Sequence, residues 1–366
     1  MQQTGYQELI RQQLESLDYQ QLEAMMRLSE FHKENPFSPP GLLEILEGLL
    51  NGSLLEDPGS VLGQALGYFL GEFFSAGALL LEILVICIIG ALLKNASEAE
   101  GERAASAVGM MACHYAAVAI AAGSFTAMYA IAWTAIDEMT TFMQALLPMM
   151  VSLLVGSGAV TAGAFMSPVM LGAVSLFATV CRLLILPALF LSCSFYLINS
   201  LTEQDYIKSL ASLIRKFALF VMGLGVLLFS GLSAVQSMVS APADSLFSKA
   251  ARYSIGHFVP VIGSFAADSI DLIRTCTALI KAAAGLFGVL ALLFLLAVPL
   301  LKLLAGVVIY KLAAVVLEPV GDRKMSECMN QIGSTLVALC LVVFLTALMF
   351  LFFIAMMAAA GQGGSL

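Results

Sequence analysis

The chain opens polar and then turns apolar in long blocks. Between residues 4 and 34, Leu9, Leu14, Leu17, Leu22, Met25 and Leu28 recur at helical spacing, which predicts an amphipathic helix. Asn35-Pro36-Phe37-Ser38-Pro39-Pro40 stops it, and a second short helix is predicted from Leu42 to Leu50, before breaks at Asn51-Gly52 and Pro58-Gly59. Residues 1–74 therefore read as a small helical region outside the cytoplasm, leaning on itself or on the membrane, or serving as a docking arm. Gly59, Gly63, Gly67 and Gly71 then place a glycine at every fourth position, a flat helix face that suits close helix packing within the chain or a subunit contact.

From there the apolar runs approach or exceed the length of a membrane span. The first covers about Ser75 to Leu93, the second Ala104 to about Ile136, closed by Asp137-Glu138. Phe142 to Val155 and Val160 to Leu186 follow, the latter interrupted by Pro168, and Pro187 opens a run to Leu201. Later runs cover Phe217–Val235, Thr275–Val298, Lys302–Leu317 and Leu336–Ala359, with a flexible tail over 361–366. Blocks of this length predict an all-α, polytopic integral membrane protein whose membrane domain covers residues 75–360. Only 11% of residues are charged, so each charge inside an apolar run needs a reason.

The stretch Gly256 to Asp271 is unlike its flanks. It carries Pro260, two glycines, Asp268 and Asp271, so it reads either as an amphipathic hairpin at the membrane surface or as broken backbone lining a wet cavity. Pro148 and Pro187 are 39 residues apart, as are Pro260 and Pro299, at an offset of 112. That spacing suggests two parallel repeats, about 104–201 and 217–318, with short or re-entrant segments at Phe142–Val155 and His257–Ala267. Each unit would run from one basic loop to the next. Lys94/Arg103, Lys208/Arg215/Lys216 and Arg323/Lys324 would then share the cytoplasmic side, leaving both termini outside the cytoplasm.

Passage-lining or gating is the functional reading of Pro148, Ser152, Pro260, Ser264, Asp268, Asp271, Lys302 and Lys311. The bland readings are an internal ion pair among Asp268, Asp271 and Arg274, and lysines ending a helix near the surface. Lys302 and Lys311, nine residues apart, are expected on roughly the same side of a helix. His114 reads as a hydrogen-bonded packing histidine rather than a proton relay. The seven scattered cysteines read as small buried hydrophobes, not a disulfide or metal framework. No nucleophile, zinc, nucleotide or other cofactor motif is present, and no basic stripe suggests nucleic acid, so an enzyme is not expected.

His257-Phe258-Val259-Pro260-Val261-Ile262-Gly263 and Ile309 to Gly321 are similar to segments of the stage III sporulation protein AE family of endospore-forming bacteria. Ala145-Leu146-Leu147-Pro148 and Gly158 to Val169 add to the likeness, which covers about residues 75 to 358. The resemblance implies a multi-pass protein of the mother-cell membrane surrounding the forespore. It further implies a part in a multiprotein channel with sibling sporulation proteins, a cytoplasmic ATPase and a forespore-side partner, and a homo-oligomer is expected. The family usually begins with a signal peptide, which Met1-Gln2-Gln3-Thr4 does not provide, so a processed or trimmed form is expected. A stand-alone permease, and a passage-free scaffold whose membrane domain only anchors partners through residues 1–74, are the competing functions.

Overall fold

Helix α1 (Arg103–Gly156) runs uninterrupted through the two features expected to divide it, Asp137-Glu138 and Pro148. The computed structural model describes residues 103–157, 172–202, 207–231, 263–319 and 323–359, together with residues 45 and 169 and a broken, helical series between 63 and 92. The further helices are α2 (Gly172–Ser200), α3 (Lys208–Gly231), α4 (Gly263–Leu317) and α5 (Arg323–Ala359). Among the described residues there is no strand, and these five helices are long and apolar enough to cross a membrane. The protein is an all-α, multi-pass membrane protein.

The helices alternate in direction. His114 near the start of α1 lies against Ser200 at the end of α2, and Lys208 at the start of α3 meets Glu327 near the start of α5. Ser326 donates to the Ala314 carbonyl across 2.7 Å, which satisfies one of the last carbonyls of α4. So α1, α3 and α5 start at one end, which carries the basic loops, and α2 and α4 return to it.

α5 is the centre. Ile332, Leu336, Leu339, Val342, Val343, Phe350 and Phe353 are fully buried, and α1, α2 and α4 all pack on it. Close approach depends on glycine at α4: a Cβ at Gly288 would sit 2.7 Å from Leu146 Cδ2, and one at Gly285 would sit 2.7 Å from Ala358 Cβ.

The same contacts set depth. A Cβ at Gly306 would lie 3.2 Å from Met128 Sδ and 3.6 Å from Leu336 Cδ1, while Gly285 faces both Ala358 and Met150. The apolar run of α5 from Leu336 to Ala359 is roughly 35 Å long, enough for a hydrocarbon core of about 30 Å. Residues 128–150 of α1 lie beside it, with Asp137 near their middle.

Several expectations change accordingly. Asp137-Glu138 does not close a span, and Phe142–Val155 is neither separate nor re-entrant. Pro148 does not break its helix, and neither does Pro299 in α4. Packing of the flanking turns carries the helix through such a proline, as Leu146, Leu147, Met149 and Met150 are buried around the exposed Pro148. The two-unit repeat finds no support among the described residues. Pro187 follows a π turn at Cys181–Ile185, whereas its counterpart Pro299 sits in regular α-helix. The N-terminal helices predicted before residue 51, Pro260 and the tail lie outside the described residues, apart from the buried Ile45.

Candidate functional site

Local sequence dictates the first element of the site. Pro187 has no N–H, and its ring would clash with the carbonyl four residues back in a regular helix. α2 widens there instead, and the Leu186 N–H donates to the Cys181 carbonyl, five residues back. The π turn carries Arg182, whose Nη2 forms an ion pair with Asp137 Oδ1 on α1. Its Nε is buried without a hydrogen-bond partner. One residue earlier, Cys181 Sγ lies 3.8 Å from Thr346 Oγ1 in the middle of α5, which fixes the ion pair at the same depth.

An unpaired charge at the centre of a span costs about 3 kcal/mol on insertion scales. Pairing therefore decides whether Asp137 and Arg182 can stay there. The pair is not sealed inside the bundle, since the Asp137 side chain is 49% exposed and that of Arg182 28%. Thr141, Gln144, Pro148 and Ser152 continue the exposed face of α1, and Gln144 Nε2 donates to Ser175 Oγ on α2 at 3.5 Å. Ser152 Oγ donates to the Pro148 carbonyl at 2.9 Å, a local bond typical of hydroxyls in membrane helices.

A second polar group lies at the basic end. Arg215 donates to Gln331 Oε1 at 3.2 Å and stacks over the Tyr196 ring, its Cζ 5.2 Å from the centroid. Lys324 donates to the Thr202 carbonyl, and His114 Nε2–H donates to the Ser200 carbonyl at 3.0 Å. A half-open cleft between the Lys208–Glu327 pair and Lys324 is floored by Asn199, Cys328 and Gln331. Lys311 Nζ reaches Asn330 Oδ1 and Ser334 Oγ, each at 2.7 Å, with its stem across Gly333.

The residues singled out from sequence therefore scatter. Pro148 and Ser152 join the Asp137 face. Lys311 clamps α4 to α5 at the basic end, and Lys302 is half-buried elsewhere on α4. The expected common side of Lys302 and Lys311 fails, because nine residues make two and a half turns and put them on opposite sides of α4. Ser264, Asp268 and Asp271 belong to the first turns of α4, with side chains outside the described residues, as are Pro260 and Gly59. Gly63, Gly67 and Gly71 are exposed, with nothing within 4 Å of an added Cβ. The pairing of Asp137 with Arg182 was missed. Arg182 was visible as a charge in an apolar run, but Asp137 looked like a loop residue. No two of the described cysteines are joined in a disulfide, and all but Cys113 are buried.

Helices of this length around a charged intramembrane pair, with basic loops gathered at one end, define a polytopic membrane protein with polar groups at bilayer depth. The chain belongs to the stage III sporulation protein AE family, whose match covers residues 42–361. It is 29% identical over 316 residues to stage III sporulation protein AE of Bacillus subtilis (strain 168), covering 86% of this chain and 78% of that relative. No solved structure matches it.

Proposed function

We propose that this sporulation membrane protein is a non-enzymatic wall component of a multiprotein channel between mother cell and forespore. It works as an oligomer in the mother-cell membrane around the forespore, alongside other stage III sporulation proteins, a cytoplasmic ATPase and a forespore-side partner. The observation that carries the reading is the Asp137–Arg182 pair at the depth of Thr346, half-open to the outside of the bundle. Lipid solvates such a pair poorly, whereas a conduit wall solvates it well. The basic end, with Lys208, Arg215, Lys216, Arg323 and Lys324, faces the cytoplasm under the positive-inside tendency. The end of α5 then lies on the other side, and with the apolar run Ser75–Leu93 as a further crossing ahead of α1 the N-terminal region lies there too.

The test replaces both charges, Asp137→Leu with Arg182→Leu, in spore-forming cells. Normal amounts of membrane-inserted protein are expected, with loss of spore yield and failure of a small mother-cell product to reach a forespore-confined enzyme. Wild-type delivery of that product by the double variant would sink the proposal.

A further inference from the structure

The outward faces of the spanning helices are of two kinds. α3 presents Leu210, Leu213, Phe217, Phe220, Leu224 and Leu227, and α5 presents Val337, Leu341, Phe344, Leu348 and Phe352, all exposed. Bulky apolar side chains of this sort meet lipid tails. On α1, no large hydrophobic residue is exposed between Tyr115 and Val155, although this stretch covers the full depth of the α5 apolar run. Its exposed positions include Gly123, Thr126, Ala130, Thr141, Gln144 and Ser152, with Asp137 half-exposed among them.

The hydroxyls do not decide what covers this face. Thr126 and Ser152 each donate to the carbonyl four residues back, at 2.8 and 2.9 Å, and a back-bonded hydroxyl tolerates hydrocarbon. Gln144 and Asp137 do decide. The Gln144 amide has two donor hydrogens and an acceptor oxygen, and its contact to Ser175 is long, at 3.5 Å. The Asp137 carboxylate offers about four acceptor sites, more than one guanidinium nitrogen fills. Both point out of the bundle within the bilayer slice, along a face roughly 40 Å long from Thr126 to Ser152.

We infer that the outward face of α1 is hydrated in the assembled protein and forms a strip of conduit wall for water and small hydrophilic solutes. The inference rests on the channel reading above and gives it a lining. α3 and α5 carry the lipid-facing surface.

Single cysteines at Thr141, Ser152, Phe220 and Leu341, placed in a full-length chain lacking its native cysteines, test this in sporulating cells. The probe is a charged, membrane-impermeant maleimide applied to the assembled complex in opened cells. Thr141→Cys and Ser152→Cys are expected to react at least about tenfold faster than Phe220→Cys and Leu341→Cys, which corresponds to a difference in access free energy of at least about 1.4 kcal/mol. Equal rates at all four positions overturn the inference. So do Thr141→Cys chains that cross-link to one another and resist the reagent, since a second copy would then cover the face. Delivery of the mother-cell product in the same strains separates the two proposals: slow labelling with intact delivery removes the lining and leaves the channel.

Discussion

Leu146 of α1 fills the space in which a side chain at Gly288 of α4 would begin. Its Cδ2 lies 2.7 Å from an ideal Cβ there, and Ile354 of α5 closes the other side at 3.4 Å. Three helices thus meet over one hydrogen atom, and the axis of the bundle depends on it.

Gly288→Val is therefore expected to destabilise the protein by about 1–3 kcal/mol through overpacking. On α3, Gly223 has nothing within 4 Å of an added Cβ, so Gly223→Ala is expected to be neutral or to stabilise by up to about 1 kcal/mol. Thermal unfolding of the two variants in one detergent checks both. Equal melting temperatures would contradict the packing described.

Arg182→Leu alone leaves Asp137 without its partner at bilayer depth, and is expected to reduce folded protein more than the double variant Asp137→Leu with Arg182→Leu. The difference approximates the insertion penalty of one charge, about 3 kcal/mol, reduced by whatever water reaches the half-exposed carboxylate. Exchanging the two residues, Asp137→Arg with Arg182→Asp, should restore part of the loss. Yields of detergent-stable protein from the four strains give the comparison.

Tyr310 of α4 is 1% exposed and donates its hydroxyl to the Ala121 carbonyl of α1 across 3.0 Å. Tyr310→Phe keeps the ring and removes the bond, so a loss of about 1 kcal/mol is expected. A melting temperature unchanged from the parent protein would mean that the two helices are held by packing alone.

Lys208 and Glu327 tie the start of α3 to the start of α5, but their side chains are 36% and 43% exposed. Lys208→Ala is expected to change stability by less than about 1 kcal/mol, and by less still at high salt. A large, salt-insensitive loss would show that the basic end is drier than its exposure implies.

Much of the architecture was legible along the chain. Apolar blocks of spanning length required helices, since only they satisfy every backbone group within one segment in lipid. The basic loops were expected to share a side, and the contacts of Lys208 with Glu327 and of Lys324 with Thr202 place two of them together. Family membership was legible too, through motifs such as Ala145-Leu146-Leu147-Pro148 and Ile309 to Gly321.

Only the tertiary structure decided where one helix ends and which side of it faces what. Asp137 looked like a boundary because a lone carboxylate ends an apolar run, and nothing nearby announced that Arg182, 45 residues on, neutralises it. Pro148 and Pro299 looked like breaks because a proline removes one hydrogen bond, yet packing against α5 outweighs that loss. In water, hydrophobic periodicity marks the buried face of a helix. In lipid, buried and exposed positions are both apolar, so Leu227 and Leu336 look alike in sequence, although one is 67% exposed and the other fully buried. The small and polar face of α1 became visible only once its neighbours were in place.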